Sequence, residues 1–359
     1  MRVGLVIYGS LETVSGGYIY DRMLVEHLRR QGELVEIISL PWRSYGRHLI
    51  DNLSWSLYQR LRQVSLDVLL QDELNHPSLF WLNKWLRDRL CYPILAIVHH
   101  LRSSEARPAW QNRLYRHVER RYLSTLDGFV FNSHTTKAAV EGVLGRNRPA
   151  TVAYPGADRL GLDLGPAQIV SRTQDSSPLR VLFIGNLIPR KGLHTLLDGL
   201  SRLPRDSWQL DVVGSLEVDS AYARGIRSRI AESGLEAQVT LSGPLPDAEL
   251  ATRLAQSHLL SVPSSYEGFG IVYLEGMGAG LPAIAANAGA ASEIITHGQD
   301  GFLVPPGDAI TLARYVKILI DDRERLTRMS LAAHQRFLDH PTWAESTERI
   351  RHFLRTWID

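Results

Sequence analysis

The sequence predicts an α/β protein built from two Rossmann-like, doubly wound domains facing a central cleft. Short, continuous Val/Ile/Leu runs alternate with amphipathic stretches along almost the whole chain. Such runs are strands buried on both faces, and their alternation with helices implies parallel sheets. The alternation breaks once, at 161–178, in a stretch rich in Gly, Pro, Ser and Asp. The 359 residues suffice for two domains of roughly 150 each.

In the first half, strands are expected at 3–8 (VGLVIY), 34–40, 67–71, 93–100, 128–133 and 151–158, with a helix at 18–32 closed by Gly32. Residues 164–178 read as a linker. Strands then recur at 179–185, 208–214, 239–243, 258–264, 282–286 and 301–305. Helices are expected between them at 191–201, 219–233, 247–256, 271–279 and 308–320. Ligands of open α/β sheets bind beyond the carboxyl ends of the strands, so those ends are where chemistry is sought.

Composition narrows the function. Apolar and charged fractions are those of an ordinary globular protein. A lone Cys91 excludes a disulfide framework and an all-cysteine metal site, and a reducing, cytoplasmic setting is expected. The first residues run straight into a strand pattern, so no leader is expected, and no apolar run reaches membrane-spanning length. Residues 1–160 carry 21 Lys/Arg against 15 Asp/Glu, and the remaining 199 carry 19 against 23. The basic half is the one expected to meet something anionic, unless the asymmetry is scatter between domains.

Ser264 to Ala286, SSYEGFGIVYLEGMGAGLPAIAA, sets Glu267 and Glu275 eight residues apart around a glycine-rich turn that opens a helix. A structural helix start wants one acid near its N-terminus. It does not want Gly276 and Gly278 within the helix, where each costs about 1 kcal/mol against alanine. The amides near Phe269, Gly270, Ile271 and Val272 make a ready phosphate site. The two acids then suit the two ends of a sugar nucleotide, although glutamates at this spacing are common on helices. In FIGNLIPRKG (183–192) a strand ends at Gly185, and Arg190 and Lys191 precede a helix, where cations are unfavourable unless an anion joins them. In the first half, Gly16 and Gly17 precede a helix, and His99 and His100 end a strand, where an imidazole can orient a hydroxyl or handle a proton. There is no G-x-G-x-x-G, H-E-x-x-H or G-x-S-x-G pattern.

At these residues the chain resembles the retaining glycosyltransferases of the two-Rossmann GT-B fold, in the large family numbered 4. The resemblance is strongest over 179–309, through FIGNLIPRKG, VTLSGPLPDAEL (239–250), the Glu-x7-Glu pattern at Glu267 and Glu275, ASEII (291–295) and GFLVPPGD (301–308). It is looser in the first half, at Gly16-Gly17, His99 and YPGAD (154–158). The resemblance implies that Glu275 binds the ribose hydroxyls. Glu267, with Gly268 to Gly270, would hold the transferred sugar, and Lys191 would neutralise the diphosphate. Gly17 would let the backbone approach the diphosphate, and His99 would sit beside the donor sugar. Gly214, Gly243 and Leu245 would line the base pocket. The position after Gly185, commonly Arg in the family, is Asn186 here, which leaves open whether Arg190 substitutes. The implied domains are 1–163, 179–341 and a final helix, 342–359, packing back on the first.

The implied reaction moves a sugar, with retention, from a nucleotide-diphosphate sugar (UDP expected) to an unidentified acceptor. No metal and no cofactor beyond the co-substrate are implied, and no nucleic-acid partner. An epimerase or phosphorylase on the same fold, or a sugar-nucleotide-binding protein without turnover, are the alternatives. Finally, Arg113, Arg116, Arg120 and Arg121 share a helical face, and Phe80, Trp81 and Trp85 lie beside Lys84, Arg87 and Arg89. Either this surface touches an anionic membrane or acidic acceptor, or the aromatics are core and the arginines a solvated face.

Overall fold

A computed structural model describes residues 1–13 and 15–358; Val14 and Asp359 lie outside the described residues. Contacts divide the chain into a unit of Met1–Pro155 with Pro341 onward, and a unit of Gly156–His340. In the first, β1 (Arg2–Tyr8), β2 (Leu34–Leu40), β3 (Val68–Asp72), β4 (Ile94–Val98), β5 (Gly128–Phe131) and β6 (Ala150–Val152) form a parallel sheet in the order β2-β1-β3-β4-β5-β6. In the second, β7 (Leu179–Ile184), β8 (Trp208–Val213), β9 (Val239–Gly243), β10 (Leu259–Val262), β11 (Ala283–Ala286) and β12 (Gly301–Val304) run β12-β11-β10-β7-β8-β9, again parallel. Every residue of β3, β4, β10 and β11 is buried, as continuous apolar strands between helix layers require.

Strand order reverses direction once in each sheet, between β1 and β3 and between β7 and β10. Loops leaving the carboxyl ends at such a point diverge and leave a crevice. Gly16-Gly17 follow β1, Arg190-Lys191 follow β7 and Glu267 follows β10, so the residues singled out in the sequence lie at these reversals.

Two expectations are corrected. The sixth strand is three residues long, not eight, and the contact division falls after Pro155. The expected linker, 164–178, contains the helix Pro166–Thr173, with Pro166 in its first turn and Ile169 and Thr173, four apart, buried. Arg172 from this helix donates to the carbonyls of Ala255, Ala279 and Gly280 at 3.0, 2.7 and 3.1 Å, tying it into the second unit. Eight residues are too few for periodicity to stand out from the surrounding turn-forming residues.

The last helix, Trp343–Arg355, starts in a capping box: Thr342 N donates to Glu345 Oε2 at 2.8 Å and Glu345 N donates to Thr342 Oγ1 at 3.2 Å. Ile350 and Leu354 are buried, and the Trp343 and Tyr20 rings meet at 5.8 Å. Arg351 and Arg355 donate to the buried Glu33 at 2.8 and 3.1 Å, and the Met1 ammonium approaches its other oxygen at 2.5 Å. Burial works against a charge on Glu33, but these cations outweigh it and hold the carboxyl at about 2. Because the folded-state pKa lies below the ordinary carboxylate value, this contribution is present above about pH 4.5 and is lost as pH falls through 2. Among the described residues no helix is long and apolar enough to cross a membrane. Replacing Glu33 by Gln is expected to cost roughly 1–3 kcal/mol at pH 7, read from urea unfolding of the two proteins, with the difference shrinking as pH falls toward 2.

Candidate functional site

In the second unit the turn after β7 and the loop after β10 converge. Lys191 Nζ donates to Glu267 Oε1 at 2.5 Å, and Ser264 Oγ donates to the same oxygen at 2.6 Å. Arg190 donates to the Tyr266 carbonyl at 2.8 Å and lies 3.8 Å from Glu267 Oε2. Thus Arg190 and Lys191 converge on one carboxylate although they are adjacent in sequence. Glu267 is buried; burial would raise its pKa, but Lys191 and Arg190 outweigh it and hold the carboxyl at about 2. Removing either partner of such a pair leaves a buried charge uncompensated. Two cations against one anion leave an excess positive charge at the carboxyl end of the sheet.

The surrounding residues hold this arrangement. Gly270 caps the Ile271–Gly278 helix at φ +102°, where a Cβ would lie 2.5 Å from the Tyr273 ring, so glycine is required. Tyr273 Oη donates to the Val262 carbonyl at 2.7 Å, fixing the helix to β10. Phe269 and Ile271 are buried, while Gly268 and Val272 are half-buried. Gly185 N donates to the Val213 carbonyl at 2.8 Å and Gly214 N to the Gly243 carbonyl at 2.9 Å. These bonds set Gly185, Gly214 and Gly243 side by side at the strand ends, with Leu245 half-buried just beyond. Asn186 spends its carboxamide on the backbone, its Oδ1 accepting from Ser215 N at 3.2 Å. Glu275 is buried on the helix and bonded to Arg159, which sequence reading overlooked within YPGADRL.

In the first unit, Asp21, one turn into the Gly16–Arg30 helix, Asp72 at the end of β3 and His99 after β4 are all buried and cluster together. His99 Nε2 is 3.2 Å from Asp21 Oδ1, and its ring meets Tyr20 edge-on at 5.3 Å. A Cβ on Gly17 would lie 3.1 Å from this ring, so Gly17 makes room for His99 within its own unit. Gly16, beside it, is exposed. Burial would keep the imidazole neutral, but Asp21, then Asp72 and Glu73, outweigh it and raise His99 to about 9. Asp72 is itself pushed up to about 8 by burial and by Asp21. Sequence spacing does not reveal this cluster, because its members are 51 and 27 residues apart.

A second buried group joins Glu73, His76 and Glu119. Glu119 accepts from Ser103 N at 3.0 Å and Ser103 Oγ at 2.5 Å, and His76 Nε2 meets Tyr45 Oη at 3.0 Å. Burial pulls His76 down to about 4, so it is neutral and ties the loop after β3 to its neighbours.

The basic–aromatic stretch divides. Phe80 is core, whereas Trp81 and Trp85 are 43% and 48% exposed, and Arg113, Arg116, Arg120 and Arg121 face solvent with Trp110 and Leu114. Trp42, Ile50, Leu53 and Trp55 are exposed as well, beside Arg43 and Arg47. Tyr45 meets Tyr115 at 4.7 Å, and Asn52 Oδ1 accepts from Trp81 N at 2.8 Å, so these segments are neighbours.

Because the folded-state pKa of His99 is raised, its charged form stabilises the fold fully below about pH 6.5, and the effect is lost as pH rises through 9. Proton NMR is expected to place the His99 midpoint near 9. Asp21→Asn should move it below about 7, since burial then acts without the nearest carboxylate.

Residues 20–159 match the family model described as Glycosyltransferase Family 4, and residues 167–336 the one described as Glycosyl transferases group 1. A GDP-mannose-dependent alpha-(1-6)-phosphatidylinositol monomannoside mannosyltransferase of Mycobacterium tuberculosis is 28% identical over 252 residues, 67% of this chain and 64% of that protein. A glycogen synthase of the same species is 29% identical over 188 residues, 52% of this chain and 44% of that protein. The matches thus span about half to two thirds of these relatives. Among solved structures, sucrose-phosphate synthase from Thermosynechococcus elongatus superposes with a TM-score of 0.84 at 21% identity, covering 99% of this chain and 98% of that one. Anabaena HepE with UDP-glucose superposes at 0.79 and 21% identity, covering 99% and 100%. These two likenesses establish the GT-B fold. With the two family models matching residues 20–159 and 167–336, the chain belongs to glycosyltransferase family 4.

Proposed function

We propose that the protein transfers a sugar, with retention, from a nucleoside-diphosphate sugar to an acceptor hydroxyl, and that it needs no divalent metal to do so. The observation that carries this reading is the buried, ionised Glu267 between Ser264, Lys191 and Arg190 at the β7/β10 reversal. Glu267 would accept sugar hydroxyls. Lys191 and Arg190 would meet the negative charge that grows on the diphosphate as the bond to the anomeric carbon breaks. The acceptor oxygen bonds to that carbon from the face the diphosphate leaves, and its proton passes to a departing phosphate oxygen. Glu275 would take the ribose. UDP is the base the family resemblance favours, and HepE's UDP-glucose complex supports it. The mycobacterial relative's GDP-mannose is the competing choice. A thermal-shift panel of UDP-, GDP- and ADP-sugars ranks the donors, because a bound donor raises stability by mass action.

The exposed basic–aromatic face of the first unit suits an anionic lipid surface, which would hold the protein peripherally on the cytoplasmic face of a membrane. Each basic residue near such a surface contributes about 1 kcal/mol, fading with salt, and tryptophans favour the headgroup level. The acceptor's identity stays open in this reading.

Glu275→Ala is expected to weaken nucleoside diphosphate itself, whereas Glu267→Ala should spare the free nucleotide and cut turnover, as calorimetry and transfer assays report. Equal loss of nucleotide affinity in both would end the division of roles. Transfer should survive excess EDTA; abolition restored by magnesium or manganese would overturn the metal-free reading. Co-sedimentation with phosphatidylglycerol vesicles should be salt-sensitive and weakened by Arg116→Glu with Arg120→Glu. No binding at low salt would refute the membrane contact.

A further inference from the structure

Glu275 does not stand alone in its pocket. Arg159, in the turn Asp158–Leu160, donates from Nε and Nη2 to Glu275 Oε1 at 3.2 and 2.8 Å. Its Nη1 lies 2.5 Å from Oδ1 of Asp247, in the first turn of the Asp247–Gln256 helix. The guanidinium, 12% exposed, is therefore fixed across three segments of the second unit. Both bonds to Glu275 end on one oxygen. Among the described residues no hydrogen bond ends on Oε2.

A carboxyl buried this deeply tends to take up a proton, and burial does push Glu275 upward, with Arg159 pulling the other way. Arg159 and Asp247 are the charged groups that face it. A protonated acid has lost part of its capacity to accept, whereas the ionised form can accept hydrogen bonds from both hydroxyls of a vicinal diol. The fork of Arg159 also fixes the rotation of the carboxylate plane, because two donors from one rigid group meet the same oxygen.

We propose that Arg159 is a positioning residue that fixes the Glu275 carboxyl with Oε2 presented to the ribose diol, and thereby sets a preference for ribonucleotides over 2′-deoxyribonucleotides. This inference rests on the reading that Glu275 accepts the ribose hydroxyls. The 2′-deoxy ligand lacks one donor to a charged acceptor, which is worth about tenfold or more in affinity.

The test is calorimetric titration of UDP against 2′-deoxy-UDP, and of GDP against 2′-deoxy-GDP, at pH 6 and pH 8. The wild type is expected to prefer the ribonucleotide of the better-bound pair about tenfold at both pH values. In Arg159→Gln the preference should fall to within about twofold, and ribonucleotide affinity should drop more at pH 6 than at pH 8, as burial protonates Glu275. Arg159→Lys keeps the charge without the fork and should retain an intermediate preference, which separates loss of positioning from loss of fold. Full preference in Arg159→Gln would overturn the inference. So would a gain in affinity for ribo- and deoxynucleotide alike, because Arg159 would then be competing with the ligand. A wild type without any ribose preference would instead overturn the reading of Glu275 itself.

Discussion

A carboxylate can stay ionised inside a protein only if positive charge is brought to it, and here the sheet topology does the bringing. β7 and β10 are neighbours through their hydrogen bonds, yet their loops leave toward opposite sides of the sheet. The turn after β7 carries Lys191 and Arg190; the loop after β10 carries Ser264 and Glu267. Each side would be costly alone, because desolvating one charge in a low-dielectric interior costs several kcal/mol. Together they make a site whose positive charges are in place before any ligand arrives. A leaving diphosphate would then be stabilised without reorganising the protein.

The first unit repeats the device with different residues. His99 lies against Gly17 and is held by Asp21, with the buried Asp72, itself pushed up to about 8, in the same cluster. The imidazole therefore stays cationic through neutral pH, where an ordinary histidine is mostly neutral. A Cβ on Gly17 would lie 3.1 Å from the His99 ring, so any side chain there would press on the ring. That is a packing reason within the unit, and it accounts for the glycine without any ligand.

The strands were legible because parallel sheets bury both faces, so VGLVIY, LRVLFIG and PAIAA announce themselves as apolar runs of strand length. Lys191 was legible because a cation ahead of a helix start is unfavourable without an anion, and Glu267 and Glu275 because they flank a glycine-rich turn that opens a helix. What sequence could not show were contacts across the fold. Asp21 reads as one more polar residue on a helix until β3 and β4 bring Asp72 and His99 to it. Arg159 reads as part of a loop until its guanidinium meets Glu275. The Pro166–Thr173 helix was hidden by its flanking Gly, Pro and Ser, and Trp81 and Trp85 were indistinguishable by spacing from core aromatics such as Phe80.

Asn186 shows how a departure from a family pattern can be absorbed. A cation at that position would add charge beside the diphosphate, but Asn186 instead accepts from Ser215 N and braces the turn after β8. Four residues on, Arg190 donates to the Tyr266 carbonyl in the loop after β10 and lies 3.8 Å from the carboxylate that Lys191 meets. The cationic side of the site depends on that loop as much as on its own turn, and any change that displaces Tyr266 would misplace Arg190 while leaving Lys191 where Glu267 holds it.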